Sequence, residues 1–232
     1  MAHFIARAIF HLDPANRRMR LIWSLPEDMN GFTVKNVKQT LLRIIFLIAS
    51  GTVILGAYLY INQLGGISHT PVSMPAWVPF LPSLVWIYLG ALVVPWFSLL
   101  AIDDPVRFRH CAVVHALAFV MLVTVWLLFP TKMLRPEVPQ GWWNELYRYL
   151  VLIDKPVNIM PCGHILSPVI VTWFLAEQNR RWLLWLLPLV AISAVSIVTT
   201  WQHRPVDILL GAVVAFIAIS IVKVTAKKQK NV

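Results

Sequence analysis

The chain is poor in charge, in cysteine and in repetition. Asp, Glu, Lys and Arg make up 13% of its 232 residues, about half of the ~25% usual in soluble domains, so polar residues are too few to cover a water-soluble fold. Its two cysteines, Cys111 and Cys162, fall at opposite edges of apolar runs, which excludes a disulfide scaffold and leaves the redox compartment open. There is no internal repeat and no stretch with the composition of a soluble domain. The Arg-rich start leads into no apolar core with a small-residue cleavage site, so no removable signal peptide is expected.

What is present is apolar: 59% of the residues are hydrophobic. Six runs, at roughly 41–63, 81–101, 111–129, 161–176, 182–200 and 206–223, approach the ~20 residues that a helix needs to cross hydrocarbon. They predict an all-α integral membrane bundle of six transmembrane helices over 41–223, with a basic tail at 224–232. Residues 1–40 set Phe4, Ile5, Ala8, Ile9 and Phe10 against Arg7, Arg17 and Arg18, the pattern of an amphipathic helix lying on the inner leaflet. The fourth run is short and polar at its start, which suggests that it lines something wet.

Fifteen of the twenty basic residues fall on one side of these runs, and the positive-inside rule makes that side cytoplasmic, both termini included. The net charge of +10 is then explained by topology and anionic lipid, which removes the reason to expect a nucleic-acid partner. The other side holds Lys132, Arg135, Arg148, Lys155 and Arg204. Trp142, Trp143, Tyr147 and Tyr149 on that side read as an interfacial aromatic belt.

Three clusters share the external side. Arg135, following Lys132 in the segment Phe129–Pro136, offers a planar fork suited to phosphate oxygens, or else an interfacial anchor. Asp154 to His164 carries Pro161, Cys162, Gly163 and His164. With Pro161 as first helical residue, the N–H groups of Cys162, Gly163 and His164 form an anion site, Gly163 admits a ligand close to the backbone, and His164 donates a proton. The plainer reading is a helix cap with a satisfied histidine. His203 and Asp207 are four residues apart before the last run, so Asp207 can reach His203 across one helical turn, fix its tautomer and leave its other nitrogen free to attack phosphorus. The plainer reading here is a buried polar contact.

The order Arg135-Pro136, then Pro161-Cys162-Gly163-His164, then His203 through Asp207 resembles the type 2 phosphatidic acid phosphatase superfamily over roughly residues 80–223. Asp154-x-Pro156-x-Asn158 and the Phe-Pro-Thr segment are similar to its branch of inositol phosphorylceramide synthase-like lipid phosphotransferases. The resemblance implies a phosphatase or phosphotransferase in a bacterial inner membrane, its site facing the periplasm and its substrate a lipid phosphate or phosphodiester. His203 would be the nucleophile that becomes a phosphohistidine, Asp207 its orienter and His164 the acid and base. Arg135, Lys132, Lys155, Cys162 and Gly163 would hold the phosphoryl group, and no metal or organic cofactor is implied. The sequence departs from the pattern at Cys162, where the family has serine, and at Ile197, where it has an arginine that Arg204 would replace. Lys132 also stands closer to Arg135 than the family's lysine does. One cation fewer leaves room for a diester substrate or a transfer reaction. The alternatives are a silent lipid-phosphate-binding membrane protein and a metal-dependent membrane hydrolase built on Cys162, His164, His203 and Asp207. The acceptor and the oligomeric state stay open.

Overall fold

The structure, a computed structural model, describes residues 8–12, 19–23, 34–64 and 67–230. The chain divides into two units, Met1–Phe46 and Leu47–Val232. The first holds β1 (Ala8–Leu12) and β2 (Met19–Trp23), antiparallel with Ala8 opposite Trp23 and Leu12 opposite Met19. The inner-leaflet helix expected here is therefore corrected to a hairpin at Ala8, Ile9 and Phe10; Phe4, Ile5, Arg7, Arg17 and Arg18 lie outside the described residues. Ile9, Phe10, Ile22 and Trp23 suit a pleated surface. The helix α1 (Val34–Gln63) starts in this unit and runs on into the second.

The second unit continues with α2 (Val85–Ser98), α3 (Pro105–Leu128), α4 (Glu145–Ile153), α5 (Leu166–Gln178), α6 (Leu183–Thr199) and α7 (Pro205–Lys230). Among the described residues five helical stretches are long and apolar enough to cross a membrane: Val37–Gln63, Pro82–Ala101, Pro105–Leu128, Arg180–Thr199 and Pro205–Lys228. This is the architecture of an integral membrane protein, and the expected fourth of six spans differs from the others. With 13 residues, α5 is about 20 Å long at 1.5 Å per residue, well short of the ~30 Å of hydrocarbon. Its apolar run loses its first residues, from Pro161 to Ile165, to the loop that precedes the helix.

The shortest of the expected spans is also central. α5 packs on α2, α3, α6 and α7, and Leu166, Pro168, Ile170, Val171, Thr172, Phe174 and Leu175 are buried along it. Ile48, Val53 and Leu55 on α1, Leu184 and Trp185 on α6 and Leu209 on α7 are exposed, an apolar outer surface suited to hydrocarbon rather than water. Trp142 and Trp143 are exposed and stacked, their rings 3.5 Å apart. Tyr147 leaves the expected belt: it is fully buried, and its hydroxyl donates to the Thr200 carbonyl at 2.8 Å.

Candidate functional site

The site is built on the loop 154–165 and the turn 200–204, which meet where α1 and α3 end and α5 and α7 begin. Two short strands, β3 (Thr70–Val72) and β4 (Thr131–Met133), pair in parallel, and β4 also holds the loop. Met133 N–H donates to Pro156 O at 2.9 Å and Asn158 N–H to Thr131 O at 2.9 Å. The Thr131 hydroxyl accepts from the N–H groups of Ile159 at 3.1 Å and Met160 at 3.2 Å. Asn158 adopts φ 60°, a left-handed conformation that asparagine tolerates better than most residues. Beyond it the Met160–Pro161 bond is cis, and Trp126 Nε1–H donates to Pro161 O at 3.1 Å.

The turn after α6 is a Schellman motif. Gln202 N–H bonds Ile197 O at 3.1 Å and Trp201 N–H bonds Val198 O at 3.0 Å. Trp201 occupies the position usually given to glycine, at φ 51°, which costs a non-glycine residue about 1–2 kcal/mol. That reversal delivers His203 to the loop.

His203 Nδ1 lies 2.6 Å from Ile159 O, His203 Nε2 lies 2.8 Å from His164 Nδ1, and His164 Nε2 lies 2.7 Å from the Tyr88 hydroxyl. A carbonyl only accepts, so the neutral His203 carries its proton on Nδ1 and bares Nε2. His164 Nδ1–H must then donate to His203, and the Tyr88 O–H to His164. Burial holds both rings neutral. It pushes His164 well below the ordinary histidine value, with His203 and Arg135 acting in the same direction. It also lowers His203, against the opposing effects of the Ile159 carbonyl, Asp207 and Asp154. The arrangement therefore combines a bare ring nitrogen with a proton relay.

Beside this chain lies a charged network. Arg135 donates to Asp154 O at 2.6 Å, Asp154 Oδ2 at 3.0 Å and Gln202 Oε1 at 2.6 Å. Asp154, buried, also accepts from the Tyr58 hydroxyl at 2.5 Å and from Asn62 Nδ2 at 3.3 Å. Four buried side-chain nitrogens on these segments have no acceptor among the described residues: Arg135 Nε, Asn158 Nδ2, Trp201 Nε1 and Gln202 Nε2. All four are donors, the complement of an anion.

Of the residues singled out in the sequence, His164 and His203 meet directly, and Arg135 reaches the same turn through Gln202. Asp207 does not bond His203. Its carboxylate accepts from Arg204 N–H at 2.8 Å, Nε at 3.0 Å and NH2 at 2.8 Å, which makes it the acidic member of a capping box at the start of α7. The reason is that α7 begins at Pro205, so His203 precedes the helix and the one-turn spacing to Asp207 does not apply. Arg204 is correspondingly held on Asp207.

Pro161 does not start a helix either, since α5 begins at Leu166, and Cys162 N–H is taken by Asp207 O at 2.9 Å. Glycine is required on α7 for that approach: a Cβ at Gly211 would stand 2.3 Å from Cys162 O. The open side of Gly163 faces α3 rather than a ligand, because a Cβ there would meet Leu122 Cδ2 at 3.0 Å. Lys132 and Lys155 are exposed, and the loop uses their backbones, Lys132 bridging Val157 and Lys155 N–H donating to Asn62 Oδ1 at 2.9 Å. Ile197 is buried against Tyr88 and Tyr147.

Sequence reasoning missed Tyr88, Gln202, the Ile159 carbonyl and the structural weight of Asp154 and Asn158. Tyr88 gave no signal, since an aromatic inside an apolar run reads as packing. Asp154 did, as an acid in the set of loops poor in basic residues that also holds Arg135. Among the described residues one cluster has metal-ligand chemistry: Cys162, His164 and His203, with ligand atoms all within 4.8 Å of one another. No protein-family model matches the chain, and no curated protein matches it.

Proposed function

We propose that the protein is a membrane lipid phosphatase or phosphotransferase that works through a phosphohistidine at His203. The observation that carries this reading is the imidazole pair: a bare His203 Nε2 facing a proton donor at 2.8 Å, in surroundings whose unsatisfied groups are all donors. A phosphoryl group placed between the rings takes over both nitrogens. Its negative charge favours the protonated form of His164. His203 Nε2 attacks phosphorus, the ester P–O bond breaks, and the leaving oxygen takes the His164 proton. His164, again neutral, then removes a proton from water or an alcohol, whose oxygen attacks phosphorus as the P–N bond breaks. The Ile159 carbonyl stabilises the charge that develops on His203, the part that the sequence reading gave to Asp207. Arg135 supplies positive potential where the phosphoryl oxygens gather.

A lipid substrate fits the surroundings, because Val206 and Leu209 on the first turns of α7 are exposed and apolar. The external, periplasmic placement of the site belongs to the same proposal and rests on the basic-residue asymmetry. One observation favours a silent lipid-phosphate-binding protein instead: the Arg135 fork is already filled by Asp154 and Gln202. The deciding experiment incubates the purified protein with a panel of lipid phosphomonoesters and phosphodiesters, with and without alcohol acceptors. Phosphate release or head-group transfer, with an acid-labile phosphoprotein that His203→Ala lacks, is the expected result. Binding of these lipids without turnover supports the silent reading, and full turnover in His203→Ala overturns the mechanism.

A further inference from the structure

We propose that Cys162, His164 and His203 form a site for one thiophilic divalent ion of the zinc class. Because the ion binds His203 Nε2, it competes with phosphoryl transfer at that nitrogen; the competition rests on the function proposed above, the site does not.

The three ligand atoms converge without any large movement. His164 Nδ1 is 2.8 Å from His203 Nε2 and 4.0 Å from Cys162 Sγ. A tetrahedral zinc with ordinary bond lengths asks for about 3.4 Å between two nitrogens and about 3.6 Å between nitrogen and sulfur. These two distances need to change by about half an ångström, in opposite senses, and the Cys162 Sγ–His203 Nε2 separation, which lies within 4.8 Å, closes toward the same ~3.6 Å through side-chain rotation of Cys162.

Both imidazoles also have the outer partners that metal-binding histidines require. His203 Nδ1–H already donates to Ile159 O at 2.6 Å, leaving Nε2 as the ligand nitrogen. His164 Nε2 is 2.7 Å from the Tyr88 hydroxyl. On binding, the His164 proton moves from Nδ1 to Nε2, where the Tyr88 oxygen accepts it, and the Cys162 thiol proton leaves to solvent, so one proton is released per ion. The sulfur–nitrogen donor set selects zinc-like ions over magnesium or calcium. The nearby carboxylates are engaged elsewhere, Asp207 by Arg204 and Asp154 by Arg135 and Tyr58. Three protein ligands leave a fourth position for water or a substrate oxygen.

The experiment titrates the chelator-treated, full-length protein in detergent with cobalt(II). The expected result is one equivalent bound, with the visible bands of tetrahedral cobalt and a near-ultraviolet thiolate-to-metal band, all displaced by zinc. Cys162→Ser should lose the thiolate band while its thermal midpoint shows that it remains folded, and Tyr88→Phe should weaken binding by about tenfold. A wild-type titration with no thiolate band, or with no one-to-one step, overturns the site whatever the turnover. Zinc inhibition of turnover that chelator relieves supports the competition. A thiolate band together with turnover that requires the metal keeps the site and overturns both the competition and the metal-free phosphohistidine reading.

Discussion

Two polar networks lie side by side at the end of this bundle, built on opposite principles. The Arg135–Asp154 network joins full charges, with side chains 9% and 8% exposed, tied down by Tyr58, Asn62 and Gln202. The Tyr88–His164–His203 chain carries no charge at rest, and each member has just one movable proton in play. A buried ion pair is costly to disturb and so fixes geometry, whereas neutral imidazoles linked by shared protons can hand a proton on without parting two full charges and so do chemistry. The first network is a frame for the second.

The sharpest test of this division is replacement of His203. His203→Ala should lower turnover by about 10⁴-fold or more, as loss of a nucleophile does, while the unfolding midpoint moves little. Comparable loss of stability would place the histidine in the frame instead. Asp154→Ala should do the reverse in kind. It strands the Arg135 guanidinium in a buried setting, at a cost of about 3–5 kcal/mol, visible in denaturant unfolding; a stable variant with intact turnover would break the comparison.

Asp207→Asn separates the present geometry from the one expected at the sequence level. The amide oxygen can still accept from Arg204, and Ile159 still fixes the His203 tautomer, so turnover should stay within about tenfold, roughly 1 kcal/mol. A thousandfold fall would show that Asp207 moves onto His203 during the reaction. The pH dependence is smaller again. Both histidines are lowered by burial, so below about pH 6.5 the unfolded chain takes up protons that the folded one refuses. Stability should be full above that pH and decline as pH falls through the window beneath it, and the decline should flatten in a variant lacking both rings. The smallest effect is expected from Tyr88→Phe, about 0.5–1.5 kcal/mol for one hydrogen bond, read as a shift of the His164 titration by NMR.

The sequence disclosed much of this and concealed the rest for physical reasons. Arg135, His164 and His203 were legible because basic-residue asymmetry puts them on one side of apolar runs without any knowledge of contacts. The role of Asp207 was misread because i,i+4 reach presumes a helix, and Pro205 starts that helix two residues after His203. The short α5 was partly legible in the polar start of its run, but its late beginning depends on a loop that β4, α1 and α7 hold, and such long-range anchoring leaves no local pattern. The Ile159 carbonyl could not be read at all, since every residue has one.

That carbonyl has a consequence for regiochemistry. By keeping the proton on His203 Nδ1 it leaves one lone pair on the ring, so any electrophile, phosphoryl or other, must end on Nε2, and only one of the two phosphohistidine isomers can form. A side-chain acceptor in its place could be titrated away or mutated in one step. A main-chain oxygen can be neither, and its placement is lost only by shifting the loop, for which the Thr131 hydroxyl, holding the N–H groups of Ile159 and Met160, is the nearest handle. The choice of Nε2 as the open nitrogen of the neutral ring is thereby insulated from most point mutations.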